Sequence, residues 1–153
     1  MKKDFVIRGQ TASGETEILE FGGYKENYAY IMTEFQIYPS TNIGGQTCEL
    51  SATVTAAKAY EDASNPNFNN DGLIATGLFF LSQDSTAANG IFSTVESIVN
   101  DTFLITQNLI LAVVDNKAGS PMPVNWQCRF KAVKMTDAAA AVQNFRQFSI
   151  FDG

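Results

Sequence analysis

The sequence contains no histidine, and this absence excludes the commonest catalytic and metal-binding arrangements. Without histidine the chain cannot form a Ser-His-Asp or Cys-His arrangement, and it lacks the usual nitrogen ligand of a zinc site. The motifs GxSxG and GxGxxG and the P-loop are also absent. The sequence therefore predicts a protein that is not an enzyme and that holds no cofactor or metal.

Basic residues are also scarce, with 10 Lys and Arg against 16 Asp and Glu and a formal net charge of −6. Phosphate binding requires clustered positive charge, so we expect neither a nucleic-acid nor a membrane partner. No apolar run approaches the roughly 18 residues of a membrane span. The apolar residues after the opening MKK are too few for a signal-peptide core. We expect the chain to be made in a host cytoplasm, without a signal peptide.

Cysteine is limited to two residues, Cys48 and Cys128, which lie far apart in the sequence. They form no CxxC motif, and two interpretations follow. Each can be a small buried residue in a strand, or the two can form a disulfide, which requires a geometry that the sequence does not reveal.

The abundant residues favour β-structure, since 12 phenylalanines accompany many Val, Ile and Thr. Apolar and polar residues alternate in short segments that turn signals separate, a pattern typical of strands. Two of these segments, 73–81 and 91–99, also fit a short helix. The predicted strands are 4–9, 16–21, 28–38, 48–59, 73–81, 91–99, 102–106, 108–115 and 124–135. In 48–59 the outer face, which includes Thr53 and Thr55, is expected to face water, and the inner set is Cys48, Leu50, Ala52, Val54 and Ala56. In 124–135 the residues expected to face inward are Val124, Trp126, Cys128, Phe130 and Ala132.

One segment has the period of a helix. Thr136 is a suitable N-cap, and apolar residues follow at helical spacing over 137–145. Short strands at regular spacing, with this one exception, predict an all-β fold: an antiparallel β-sandwich, jelly-roll-like, with one short C-terminal helix. At 153 residues the chain is most simply one domain over 1–153.

The alternation in the predicted strand 28–38 assigns its two faces. Ala29, Ile31, Thr33, Phe35 and Ile37 are expected in the core, which places Tyr28, Tyr30 and Tyr38 on the outer face. Tyrosines on an outer face can stack on sugars or contact a protein, or they can pack against a neighbouring strand. The three tyrosines are therefore a candidate interaction surface.

Three apolar residues near the C-terminus form the second part of that candidate surface. Phe148, Ile150 and Phe151 make the segment 146–153 more apolar than a free terminus usually is. We expect this segment either to complete a sheet or to dock on another subunit.

The stretch NPNFNNDG, residues 65–72, has the look of a calcium loop. Counted from Asn67, it places Asn69, Asp71 and Gly72 on the third, fifth and sixth positions of an EF-hand. Position 12, which requires a bidentate acid, is Leu78. The sequence therefore favours an Asx-rich turn over a metal site.

Five stretches carry a resemblance: KDFVIRGQTASGETEILEFGG, YIMTEFQIYPST, GLIAT, NDTFLITQNLIL, and VNWQCRFKAVKMTD with the later AVQNF. Taken together, they resemble small virion structural proteins of marine bacteriophages. The resemblance runs from residue 2 to about 152. It implies a jelly roll that serves as a capsid decoration, cement or minor shell protein, with no catalytic residues.

These observations lead to a hypothesis and two alternatives. The hypothesis is a virion protein that binds capsid proteins and itself, for example as a trimer, through the segments 2–10 and 146–153. One alternative is a β-sandwich carbohydrate- or receptor-binding module that uses the tyrosines. The other is the major coat protein of a jelly-roll capsid.

Overall fold

The computed structural model describes residues 4–21, 28–40, 47–56, 59–83, 91–116 and 121–134. These ranges contain eight strands and no helix, and none of their segments is a helix that could cross a membrane. The strands are β1 (Asp4–Thr11), β2 (Thr16–Leu19), β3 (Tyr28–Pro39), β4 (Cys48–Ala56), β5 (Leu73–Gln83), β6 (Ile91–Val99), β7 (Leu109–Asp115) and β8 (Val124–Lys134).

The strands form two antiparallel sheets, which confirms the predicted all-β sandwich. One sheet has three strands in the order β1-β8-β3, and the other has five in the order β2-β7-β4-β5-β6. In a jelly roll of eight strands, the first strand pairs with the eighth, the second with the seventh, the third with the sixth and the fourth with the fifth. Here β1 pairs with β8, β2 with β7 and β4 with β5. The strand order is therefore jelly-roll-like, with one pair unmade.

Among the described residues, the unmade pair leaves one side of the sandwich without a paired strand. β6 is hydrogen-bonded to β5 along its whole length. It lies close to β3 but does not pair with it. Among the described residues, β3 pairs with β8 and, at a single bridge, Tyr30 pairs with Ile105. No described strand other than β8 pairs with β3 from Thr33 to Pro39.

The core lies between the inner faces of the two sheets. In the five-stranded sheet, the predicted inner set of β4 is fully buried. Of the predicted inward residues of β8, Ala132 is partly buried and the others are buried, including Trp126 and Cys128. Both cysteines are buried and free, so the disulfide interpretation is wrong.

A β-bulge in β3 corrects the predicted faces of this strand. The register against β8 shifts between Met32 and Glu34, so Thr33 is an extra residue in the ladder. An extra residue inverts the alternation on one side of it. Phe35 and Ile37 are buried as predicted, but Tyr30 and Met32 are buried too, while Thr33 is exposed.

The outer face of β4 provides a second correction. Thr53 and Thr55 were expected to face water, yet both are buried. The connection 59–72 lies across this face, where the Thr53 hydroxyl donates a hydrogen bond to the carbonyl of Glu61 at 3.1 Å. Ala63 of the same connection is also buried.

Two further predicted elements have different outcomes. The strand predicted at 102–106 is wrong, because the structure has only the single bridge between Ile105 and Tyr30 there. The helix predicted at 137–145 lies outside the described residues. The segments 73–81 and 91–99, for which a short helix was the alternative, are strands in the structure.

Candidate interaction surfaces

The three predicted tyrosines do not share one exposed face. Tyr38 is 54% exposed, Tyr28 is half-buried and Tyr30 is only 8% exposed. The ring of Tyr30 packs edge-on to Phe5, with centroids 5.5 Å apart, and lies 5.2 Å from Phe21. The prediction of a tyrosine platform is therefore wrong for Tyr30. Phe148, Ile150 and Phe151 lie outside the described residues.

Tyr30 belongs to an aromatic cluster that closes one end of the three-stranded sheet. Phe130 of β8 contacts Phe21 at 4.9 Å and Phe5 at 5.5 Å between ring centroids. The backbone bridge between Tyr30 and Ile105, with hydrogen bonds of 2.9 and 2.7 Å, covers the β3 edge beside these rings. We call Phe5, Phe21, Tyr30 and Phe130 the aromatic cluster.

The opposite end of the same sheet is open. A cavity of about 800 Å³ lies between the sheets, bordered by the central residues Gly9 of β1, Trp126 of β8 and Ile37 of β3 with their strand neighbours. Phe79 of β5 and Val95 of β6 border it from the other sheet. We call this cavity the inter-sheet groove.

The groove owes its shape to the difference in size between the two sheets. Val95 lies opposite Phe79 in the β5–β6 ladder and therefore on the inner face, yet it is 62% exposed. The three-stranded sheet ends at β3 and leaves this part of β6 uncovered. Tyr38 stands at the margin, its ring 5.7 Å from that of Phe79.

Trp126 is held against the floor of the groove. Its indole nitrogen donates a hydrogen bond of 2.9 Å to the Thr11 hydroxyl, and that hydroxyl oxygen lies 3.4 Å from a carboxylate oxygen of Glu17. Gly9, its partner in the β1–β8 ladder, allows the ring to lie on the backbone. A Cβ at Gly9 would stand 2.9 Å from the ring.

A second surface lies on the outer face of the five-stranded sheet. Phe68 is 62% exposed and Ile98 54% exposed, and both border the same shallow depression. Leu78, also exposed, borders a neighbouring depression together with Ile98 and Pro66. We call Phe68, Leu78 and Ile98 the outer apolar patch. Exposed apolar residues that cluster are typical of contact surfaces.

The stretch NPNFNNDG supplies Phe68 of this patch through turn chemistry. The side-chain oxygen of Asn67 accepts a hydrogen bond from the Asn69 amide at 3.0 Å, and that of Asn70 accepts one from the Gly72 amide at 2.9 Å. These are Asx turns. The Asn70 side chain also donates to the Ala59 carbonyl and to Glu61, at 2.7 and 2.8 Å. The asparagines shape this connection and hold it to its own first residues.

Asp115 is the described carboxylate that lies deepest in the fold, and its contacts are structural. Its two oxygens accept hydrogen bonds from the Glu49 amide at 3.1 Å and the Met122 amide at 3.0 Å. It therefore joins the end of β7 to the start of β4. Within the described ranges, no group of three His, Cys, Asp or Glu side chains is placed to hold a metal ion.

The buried thiol of Cys128 is a poor nucleophile. Burial raises the pKa of Cys128 from its ordinary value of 9.0 to about 12. Since the thiolate is the reactive species, Cys128 is chemically inert at neutral pH.

Sequence reasoning did not find Val95, the groove or the outer apolar patch. One signal was available: the segment IFSTVESIV carries apolar residues on both alternating sets. An edge strand with contacts on both faces shows such a pattern. Comparison of the chain with protein-family models and with curated proteins returned no match.

Proposed function

We propose that this protein is a non-enzymatic structural component of a bacteriophage virion, which binds the capsid lattice and itself. The observation that carries the proposal is the nested strand pairing of a jelly roll. Viral capsid domains, lectins and cupins share this architecture. The sequence resemblance over residues 2–152 points to the first of the three.

One observation favours the capsid role over the metal-dependent jelly-roll roles. The chain contains no histidine, the commonest metal ligand in proteins. A shell component needs no metal site, because symmetry multiplies weak contacts into avidity.

Within this role, the copy number separates the alternatives. A decoration, cement or minor shell protein is present in fewer copies than the coat protein, or in a simple ratio to it. The major coat protein of a jelly-roll capsid is itself the most abundant chain. The segments 2–10 and 146–153 and the outer apolar patch are the contacts proposed for assembly.

Mass spectrometry of purified particles tests the proposal. We expect the chain in intact particles at a defined copy number, and its absence from them would refute the virion role. Incorporation of Ile98→Arg, compared with Ile18→Arg, tests the outer apolar patch. Ile18 is a suitable control because it is 63% exposed on β2, at the other edge of the same sheet.

A carbohydrate- or receptor-binding module is the second candidate. One observation favours it: Tyr38 is exposed at the margin of a groove that also contains Trp126. Aromatic rings of this kind stack on sugars. A glycan array with the wild-type chain and Tyr38→Ala tests it, and binding that Tyr38→Ala abolishes would replace the virion proposal.

A further inference from the structure

We infer that this protein binds itself face to back: the outer face of the three-stranded sheet of one copy binds the outer face of the five-stranded sheet of another. The inference rests on the self-association in the proposed function and names the two faces that carry it. It is tested with purified protein and without capsid. A negative result therefore overturns this contact without deciding whether the chain is present in particles.

The charged residues of the described ranges are divided unequally between the two sheets. The three-stranded sheet carries all four of their Lys and Arg and only two of their acids: Arg8, Arg129, Lys131 and Lys134, with Asp4 and Glu34. The five-stranded sheet and the connections that adjoin it carry the other ten described acids, with no described Lys or Arg. One sheet is therefore weakly basic and the other is strongly acidic.

The charges outside the described ranges do not reverse this division in the sequence. Lys58 and Lys117 adjoin strands of the five-stranded sheet, as does Asp84. Two lysines cannot offset ten carboxylates. Lys2 and Lys3 directly precede β1, which belongs to the other sheet.

The outer face of the five-stranded sheet combines carboxylates with exposed apolar side chains. Glu96 of β6 pairs with Leu78 of β5, and it borders a depression that the outer apolar patch also borders. The connection 59–72, which lies across this face, adds the exposed carboxylates of Asp62 and Asp71. We call this surface, with Asp62, Asp71, Glu96 and the outer apolar patch, the acidic face.

The outer face of the three-stranded sheet has the matching combination. Arg129 pairs with Val6 of β1, which is 37% exposed, and Lys131 pairs with the half-buried Ile31 of β3. Arg8 is exposed and lies two residues from Val6, on the same face of β1. We call this surface, with Arg8, Arg129, Lys131 and their apolar neighbours, the basic face.

Charge complementarity commits the two faces to each other. A contact through the same face of both copies would oppose like charges, acid against acid or base against base. A contact between the basic face and the acidic face joins unlike charges, and it also buries the exposed apolar residues of both. Such a contact is heterologous, so it continues from copy to copy as a ring or an open array.

The same charges disfavour an anionic polymer on the basic face. The chain has a net charge of −6, and Asp4 and Glu34 lie among the bases of the three-stranded sheet. Phosphate binding gains its strength from many neighbouring positive charges. A second copy instead offers separate carboxylates together with apolar side chains.

Charge exchange between the two faces tests the inference by analytical ultracentrifugation. R8E/K131E makes both faces acidic, and D71K/E96K places positive charges on both. Arg129 is left in place, because its Nε lies 3.6 Å from a carboxylate oxygen of Glu34. Each variant alone should sediment as a single chain at concentrations at which the wild type forms larger assemblies. A mixture of the two should associate again, which also shows that both variants are folded.

The matched control is E15K/E20K. It changes the net charge by the same amount as D71K/E96K, at two exposed residues that flank β2. It should associate as the wild type does. Raising the ionic strength from about 0.1 M to about 1 M shortens the screening length from about 10 Å to about 3 Å and should weaken the wild-type assembly.

Four results would overturn the inference. They are a wild type that stays a single chain at every concentration, charge-exchange variants that associate as the wild type does, a mixture that does not restore association, and an E15K/E20K chain that loses association as fully as D71K/E96K. If the wild type stays a single chain but binds double-stranded DNA, and R8E/K131E abolishes that binding, the basic face belongs to a nucleic acid instead.

Discussion

The two ends of the three-stranded sheet consist of the same strands, yet they are packed in opposite ways. At one end Phe130 lies among Phe5, Phe21 and Tyr30 with ring centroids 4.9 to 6.4 Å apart. At the other end Trp126, four residues earlier on the same face of β8, borders a cavity of about 800 Å³. Both ends contain large aromatic residues, so aromatic content does not explain the difference in packing.

The difference lies in how the edge of β3 is covered. Beside the aromatic cluster, Ile105 bridges to Tyr30 and the edge is closed. Beside the groove, no described strand other than β8 pairs with β3. A closed edge produces a well-packed core, whereas an open edge leaves apolar surface for a partner.

The largest expected effect comes from breaking the closed end. Phe130→Ala should lower the free energy of unfolding by about 3–5 kcal/mol, because Phe130 is fully buried and its neighbours cannot fill the space. Chemical denaturation measures the change. Phe68→Ala, at an exposed phenylalanine, is the control and should cost less than about 0.5 kcal/mol. Equal costs would show that the aromatic cluster is not a packed core.

The next largest effect is expected from replacing a glycine by alanine, at Gly77 or at Gly9. A Cβ at Gly77 would lie 3.1 Å from the ring of Phe35, which is fully buried and has no space to move. Gly77→Ala should therefore cost about 1–3 kcal/mol. A Cβ at Gly9 would be closer still to Trp126, at 2.9 Å, and that ring is held by its hydrogen bond to Thr11. Gly9→Ala should therefore cost at least as much as Gly77→Ala, and a smaller cost at Gly9 would show that the Trp126 ring can move into the groove.

Cys128 lies on β8 between the two ends of the sheet. Its accessibility therefore reports how far the inter-sheet groove extends into the sheet. Burial keeps its thiol neutral in the folded state by raising its pKa to about 12, while the unfolded thiol titrates near 9.0. The stabilisation is therefore complete below pH 9 and is lost as the pH rises from 9 towards 12, by about 1.4 kcal/mol per pH unit.

Comparison with Cys128→Ala isolates this loss, because the variant lacks the thiol while other groups titrate as before. Unfolding free energies at pH 8, 9 and 10 measure the two slopes. A thiol reagent should also fail to label the native protein at pH 8. Rapid labelling of Cys128 would mean that the groove extends to the middle of the sheet.

The smallest expected effect is at the rim of the groove. Val95→Arg and Ile18→Arg should each change the free energy of unfolding by less than about 0.5 kcal/mol, since both residues are exposed. A large destabilisation by Val95→Arg alone would show that Val95 belongs to the core.

Much of the fold was predictable because alternation is a local signal. Apart from Ala132, which is partly buried, the inner residues of β4 and β8, including Cys48, Trp126 and Cys128, are buried as predicted. The prediction failed in β3, where the alternation of tyrosines and apolar residues carries no mark of the bulge at Thr33. It also failed at Thr53 and Thr55, because a polar outer face gives no sign that a loop will cover it.

The candidate surface was harder to predict than the fold. Of the residues proposed from sequence, Tyr38 is exposed and Tyr30 is buried. Val95, Phe68, Leu78 and Ile98 were missed, because exposure of an apolar residue depends on which strands lie opposite it.

By itself, the sequence determined the class of this protein: an all-β sandwich of short strands with no histidine chemistry. These properties depend on residue type and on a period of two, which act within a few residues. Only the tertiary structure decided that β6 joins β5 and not β3, and therefore which edge stays open. That choice depends on pairing between distant segments, whose alternatives have the same local pattern.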